Sequence, residues 1–342
     1  MIFRQLGNTG LKVSALCLGT MTFGASFYNV ASVDQHNANE MVAKALEAGI
    51  NFFDTADVYS YGESEEILGK AIKESDVTRS SVIIATKVRS AMSKAAMSGM
   101  DDVNNVGLSR QHIIAACDAS LRRLGTDYID LYQVHGWDVA TPIEESLSTL
   151  NDLVRQGKVR YIGCSNWSTR HLAKALCISA MHNWERFVTL QAYYSLVGRD
   201  VEYELLPLCR EEGMGLLPWS PLSGGFLSGK YHRNNPEPNG GRRVDSGFPP
   251  IDEERCFDAV EALDRVAKNK QATVAQIALA WLLAQSGVSS VIIGAKHISQ
   301  LEDNLRGVDV ELSYEEINLL SMITTPRALY PGWMIDQENE GR

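Results

Sequence analysis

The sequence predicts a (β/α)8 TIM barrel, and three observations carry that expectation. Eight short apolar, β-branched runs recur, at residues 15–19, 50–54, 82–87, 128–135, 159–164, 188–192, 215–219 and 290–294. They read as near-continuous hydrophobics, the pattern of parallel strands covered on both faces. Most are followed by a stretch of helical period, and eight strands alternating with helices fit a closed barrel. Finally, almost every run ends in a polar or aromatic residue, which a purely structural barrel would not need at its mouth.

Candidate helices cover residues 37–48, 109–123, 142–156, 168–180, 200–212, 254–270, 273–286 and 313–323. The first puts Met41, Val42, Ala45 and Leu46 on one face, and the second does the same with Ile113, Ile114, Cys117 and Leu121. The third follows Thr141-Pro142, a cap and then Pro at the first helical position. Residues 2–16 hold Gly7-Asn8-Thr9-Gly10 between apolar runs, a hairpin signal placed to cap one mouth. Extra C-terminal helices are expected beyond the barrel. Segments 88–107 and 223–250 are long loops, and loops of that length are uncommon unless functional. The tail at 326–342 follows, and no linker splits the chain. A single domain over residues 1–342 is expected, since α/β barrels reach this size.

Composition narrows the function classes. Of 342 residues, 45% are hydrophobic and 22% charged, the balance of a globular chain with a large core. Lys and Arg total 32 against 42 Asp and Glu, a net charge of −10. No basic run interrupts that field, so neither nucleic acid nor an anionic membrane is an expected partner. An anionic ligand would need a local basic pocket. Six scattered cysteines form no CxxC pair, and the histidines show no metal-ligand spacing, so no metal is expected. Neither a signal-peptide core nor about 18 unbroken apolar residues is present, which points to a reduced, cytoplasmic protein. Gly224 to Lys230 reads GxxxxGK, but Tyr231 stands where a phosphate loop needs Ser or Thr. No GxGxxG follows the first strand, which argues against a Rossmann domain.

The strand ends carry chemistry. Asp54 closes the second run, with Tyr59 five residues on; Lys87 closes the third and His135 the fourth. Ser165-Asn166, Gln191, Trp219-Ser220-Pro221-Leu222 and Gly294 close the remaining four. A tyrosine near pKa 10 is a poor proton donor at neutral pH, and a neighbouring ammonium lowers that value. A carboxylate would keep the lysine charged and fixed, and a histidine would orient and polarise a carbonyl oxygen. Such a set suits reduction of a carbonyl to an alcohol, with the hydride coming from a cofactor.

These residues lie within stretches that resemble the aldo-keto reductases. The matching segments are LGTMTFG, INFFDTADVYSYGESEEILGKAI, IIATKV, LYQVHGWD, VRYIGCSN, QAYYSL, WSPLSGGFLSGKY and IIGAKHISQLEDNL. They span nearly the whole chain in the family's order, closest in style to its longer bacterial and potassium-channel-β-like branches. The resemblance implies a catalytic tetrad of Asp54, Tyr59, Lys87 and His135, with Tyr59 as general acid in reduction and base in oxidation. It implies NADPH or NADP⁺ as cofactor, with weaker use of NADH.

Thr20, Met21 and Asp54 would lie by the cofactor, with Ser165, Asn166 and Gln191 on the carboxamide and Trp219 against the nicotinamide. Ser220, Pro221, Leu222, Gly224 and Lys230 would line the phosphates. Gly294, Lys296, Gln300, Asp303 and Asn304 would hold the adenosine end, Lys296 contacting the 2′-phosphate. A wall of Phe23, Tyr28, Val88, Arg89, Trp137 and Trp333 is expected for an aldehyde, ketone or alcohol substrate. The rival reading is a cofactor-sensing regulatory subunit with little turnover; the complete tetrad favours the enzyme. Direction and oligomeric state are not encoded in these motifs.

Overall fold

The computed structural model describes the chain except residues 26, 28, 29, 100, 101, 240–242, 244–246 and 340–342. A two-stranded antiparallel hairpin, β1 (Phe3–Gln5) and β2 (Lys12–Ser14), precedes the barrel. Eight parallel strands follow: β3 (Leu16–Gly19), β4 (Phe52–Asp54), β5 (Ile83–Val88), β6 (Ile129–Val134), β7 (Val159–Ser165), β8 (Phe187–Tyr193), β9 (Gly215–Trp219) and β10 (Val291–Ile293). They run in sequence order with β10 laddered onto β3, so the apolar runs do form a (β/α)8 barrel. The ring closes between β9 and the residues before β10, where Leu216 N donates to Gly287 O and Ser289 N to Leu216 O, both at 2.9 Å.

Two apolar cores result from the period-two alternation of the strands. Inside the barrel, Cys17, Phe52, Ile83, Ala85, Leu131, Leu217 and Ile292 pack with Leu6 and Val13 of the hairpin. The hairpin therefore plugs the mouth at the strands' N-terminal ends. The larger core lies between the strands' outer faces and the helices, and includes Leu18, Ile84, Val88, Tyr132, Val134 and Trp281.

The helices, in chain order, are α1 (Gln35–Glu47), α2 (Glu63–Glu74), α3 (Lys94–Ser98), α4 (Arg110–Leu124), α5 (Ile143–Arg155) and α6 (Thr169–His182). The rest are α7 (Leu205–Glu211), α8 (Glu253–Lys270), α9 (Val274–Leu283), α10 (Ile298–Arg306), α11 (Tyr314–Ile323) and α12 (Gly332–Asn339). Their starts follow side-chain chemistry. Asp34, Ser109 and Asp252 accept backbone N–H groups of α1, α4 and α8, and Thr273 and Ser313 form full capping boxes on α9 and α11. Among the described residues no helix is long and apolar enough to cross a membrane.

Four details differ from the sequence expectation. α2 and α10 are helices beyond the eight periodic stretches. Residues 200–212 split into a 3-10 turn, Asp200–Glu202, and the short α7. Thr141 does not cap α5, because its hydroxyl donates to Asp138 Oδ2 at 2.6 Å and Pro142 holds the cap position without a side-chain bond. The loop after β5 is not wholly irregular, since Ser93 caps α3 inside it.

Candidate active site

Strand register decides which side chains meet at the C-terminal mouth. Gly19 pairs with Asp54, Lys87 with Gln133, and Ser165 with Gln191. In β5 the pleat turns Ile83, Ala85 and Lys87 inward and Ile84, Thr86 and Val88 toward the helices. Lys87 thus ends inside the barrel, fully buried. Its Nζ donates to Asp54 Oδ2 at 2.6 Å, Thr55 O at 2.7 Å and Tyr59 OH at 3.3 Å. Asp54 Oδ1 accepts from Gln191 Nε2 at 2.8 Å and Gln133 Nε2 at 3.2 Å. The carboxylate is therefore ion-paired on one oxygen and hydrogen-bonded on the other.

Tyr59 reaches this group because the chain after it turns sharply. Ser60 and Tyr61 both hold left-handed backbone (φ 49° and 54°), and Ser60 Oγ donates to Phe23 O at 3.0 Å. Such conformations cost on the order of 1–3 kcal/mol each for non-glycine residues and cluster at functional sites. The Tyr59 ring is flanked by Phe27 at 5.3 Å and His135 at 5.8 Å, both edge-on. His135 follows β6, its backbone N–H donating to Val88 O at 2.8 Å. Its Nδ1 is buried and has no partner among the described residues.

Electrostatics assign protonation states. Burial pushes the Tyr59 phenol up from 10, against the pull of the Lys87 ammonium. The expected downward shift is thus present as a component and outweighed by desolvation. Burial alone would lower Lys87; Asp54 and Tyr59 reverse that, and the ammonium is held above 10.5. Burial first, then Lys87 and Arg89, drive His135 well below 6.5, so its imidazole is neutral at physiological pH.

Behind the tetrad lies a buried polar layer. Glu65 accepts from Thr86 Oγ1 and Arg123 Nε, each at 2.6 Å. Asp57 Oδ1 accepts from Val58 N at 2.6 Å, while Oδ2 has no partner among the described residues. Burial, then the Glu65 charge, push the Asp57 carboxyl well above 3.8. A folded-state pKa above the unfolded value means that only the folded chain keeps this proton in between, so stability falls as pH rises through that window. Asp57→Asn is expected to remove the fall. Thermal melts from pH 5 to 8 should show the variant gaining on wild type as pH rises; a constant difference would exclude a raised Asp57.

The remaining expected site residues divide. Thr20 is buried, its Oγ1 within 2.9 Å of Ser64 Oγ and donating to Asp54 O at 3.2 Å; Met21 follows, half-buried. Ser165 Oγ is buried without a partner among the described residues, and Asn166 Oδ1 accepts from Trp219 Nε1 at 3.0 Å. Trp219 stacks on Phe248 at 5.6 Å and 9°, with Tyr193 tilted at 5.2 Å. Ser220 Oγ accepts from Gly224 N at 3.0 Å, with Pro221 and Leu222 in the turn between, and Lys230 is exposed just beyond.

At the far end Gln300 Oε1 accepts from Lys296 N at 2.9 Å and Asn304 Nδ2 reaches Gly294 O at 3.4 Å. Asp303 is already engaged by Thr273 Oγ1 and Gln276 Nε2, at 3.0 and 2.7 Å.

Among the wall residues, Arg89 Nε donates to Trp137 O at 2.9 Å. The Trp137 ring stacks on His171 at 3.8 Å. Phe23 and Val88 are buried in the outer core, so neither lines the mouth. Tyr28 lies outside the described residues. Trp333 is half-exposed on α12, with Tyr330 as its ring neighbour at 6.2 Å. Gln133, Phe27 and Phe248 went unread in the sequence. Gln133 had a signal, two residues before His135 on the same inward face of a strand. The other two act from loops, where no period points to them.

The Aldo/keto reductase family model matches residues 15–324. The chain belongs to the aldo-keto reductase family. As an aldo-keto reductase it is an oxidoreductase of a family that works with nicotinamide cofactors. Curated relatives span several roles. A versiconal hemiacetal acetate reductase of Aspergillus parasiticus is 36% identical over 97% of this chain and 99% of its own. A putative aryl-alcohol dehydrogenase of Schizosaccharomyces pombe is 35% identical over 93% and 94%. A putative voltage-gated potassium channel subunit beta of the same yeast is 38% identical over 90% and 88%.

Proposed function

We propose that this aldo-keto reductase interconverts a small-molecule aldehyde or ketone with its alcohol, using NADPH or NADP⁺, with Tyr59 as the general acid and base. One observation carries the reading: the phenol of Tyr59 lies 3.3 Å from a fully buried ammonium, beside a neutral imidazole, at a barrel mouth. The cofactor, when bound, supplies or accepts the hydride. Every proton step belongs to the chain. Tyr59 OH donates its proton to the forming alkoxide oxygen; Lys87, held charged by Asp54, stabilises the phenolate left behind. Neutral His135 donates a hydrogen bond to the carbonyl oxygen and fixes its position. In oxidation the phenolate takes the alcohol proton back.

The donor set suits a nicotinamide. A carboxamide needs a hydroxyl and amides that are not all spent, and Ser165 Oγ is a buried polar atom without a partner among the described residues. Ser165, Asn166 and Gln191 would hold it, with Trp219 against the ring. Ser220, Pro221, Leu222, Gly224 and Lys230 would follow the phosphates. Lys296, with Gly294, Gln300, Asp303 and Asn304 around it, would meet the 2′-phosphate; a lysine point charge there favours NADPH but does not bar NADH. We read residues 1–342 as one domain and place the protein in the cytoplasm.

Turnover is to be measured with NADPH, NADH and their oxidised forms on aldehydes, ketones and secondary alcohols, alongside cofactor binding by fluorescence. Turnover with a higher kcat/KM for NADPH than NADH is the expected result. Tight binding with no turnover on any substrate would move the assignment to a cofactor-sensing regulatory subunit. No binding of either cofactor would overturn both.

A further inference from the structure

A field set by a net charge of −10 works against anions, so a cation at the mouth with no ion-pair contact is conspicuous. Lys87 is not one, because Asp54 sits 2.6 Å from it. Arg89, two residues on, is. Its Nε donates to Trp137 O at 2.9 Å, and Nη1 and Nη2 have no partner among the described residues. No carboxylate among them makes an ion-pair contact with it; Asp138, next to Trp137, lies near enough only for the two charges to feel each other.

Other half-buried arginines behave differently. Arg4, Arg79, Arg123, Arg199, Arg243 and Arg255 each engage at least one terminal nitrogen with a carbonyl, carboxylate or hydroxyl. Arg89 alone among the described half-buried arginines leaves both terminal nitrogens unused.

The backbone is bent to place it so. Arg89 has φ +149° and Gly136 φ +141°, both conformations that favour glycine. Gly107 N donates to Arg89 O at 2.8 Å and fixes the turn. The guanidinium lies along residues 136 and 137: a Cβ on Gly136 would come within 3.5–3.7 Å of Arg89 Cδ, Nε and Cζ. That is the peptide next to His135, whose imidazole feels the Arg89 charge. An arginine held in a disfavoured conformation, half-buried and with both terminal nitrogens free of protein partners among the described residues, is placed for a ligand rather than for the fold.

We propose that the Nη1–Nη2 edge of Arg89 binds a carboxylate carried by the substrate, which makes carbonyl acids and their hydroxy-acid counterparts the favoured substrate class. The inference rests on the reading of this mouth as the site of carbonyl reduction. With Nε occupied, the free edge presents two parallel N–H donors, matching the two oxygens of a carboxylate. The anchor is local, so it acts against the repulsion of the overall field.

The test uses matched pairs that differ only in charge: 4-formylbenzoate and its methyl ester, and succinic semialdehyde and its methyl ester, each with NADPH. In wild type the acid is expected to have at least a tenfold higher kcat/KM than its ester. Arg89→Gln should lower that ratio at least thirtyfold, mainly through KM, and Arg89→Lys should restore part of it. Benzoate should inhibit wild type competitively, and inhibit Arg89→Gln at least tenfold more weakly. If Arg89→Gln does not fold, the wild-type acid-to-ester ratio decides, and it should fall as salt rises. Esters reduced as well as acids by wild type, or a ratio unchanged in Arg89→Gln, would overturn the carboxylate anchor and leave carbonyl reduction standing. No turnover of any acid or ester would overturn both.

Discussion

Lys87→Met is expected to lower stability by about 3–5 kcal/mol and to abolish measurable turnover. The reason is what the ammonium leaves behind. Asp54 has a side chain only 4% exposed, and Lys87 is its one cationic contact among the described residues. Without Lys87 the carboxylate keeps two amide donors, Gln133 and Gln191, and no counter-charge. Breaking a buried pair from one side is far more damaging than removing both charges. The double variant Asp54→Asn, Lys87→Met should therefore recover most of the lost stability and none of the activity. Urea denaturation of the four members of this cycle measures the coupling directly. A Lys87→Met midpoint equal to wild type would mean that the pair carries no net charge interaction. The sign with pH also follows. A lysine whose folded pKa is raised contributes fully below 10.5, and that contribution is lost as pH climbs through the folded value.

Tyr59→Phe is expected to cut kcat by about 10² to 10⁴, the usual worth of a positioned proton donor. Folding should survive, because the hydroxyl makes one hydrogen bond among the described residues, at 3.3 Å, and the ring keeps Phe27 and His135. Burial raises the Tyr59 pKa, so the phenol stays protonated through neutral pH. Reduction by wild type should be flat with pH until the alkaline limb, and alcohol oxidation should rise toward it. Both limbs should vanish in Tyr59→Phe, while NADPH affinity stays within a few-fold of wild type. An alkaline limb that persists in the variant would assign the proton to another group.

Much of this was legible in the chain, because parallel barrel strands announce themselves as continuous apolar runs and their C-terminal ends carry the chemistry. All eight runs became strands, and Asp54, Tyr59, Lys87 and His135 converged. What escaped notice has physical reasons. α2 carries Gly69, whose missing side chain lets the Leu124 carbonyl approach to within 2.4 Å of where a Cβ would stand. A glycine favoured by packing reads, locally, as a helix breaker. α10 has nine residues, short enough for its period to be missed. Val88 faces the helices because it follows the inward Lys87 in the strand, and successive strand residues point to opposite faces. The contacts of Arg243 to Gly247 O and Pro249 O, and of Phe248 to Trp219, join loop residues that share no periodicity with the site.

The seam of the barrel sets an order on its assembly. Leu16 pairs with Val291, and Arg4 reaches Val288 O at 2.9 Å and Leu283 O at 2.7 Å. These residues leave the ribosome well before the segments they pair with. Until those emerge, β3 and the growing sheet's latest strand stand as open edges, each offering unpaired backbone groups to any neighbour. Contacts of such sequence separation are slow to form. Closure must then wait for β10, so a nascent chain stalled short of it would keep both edges open to pairing with other chains.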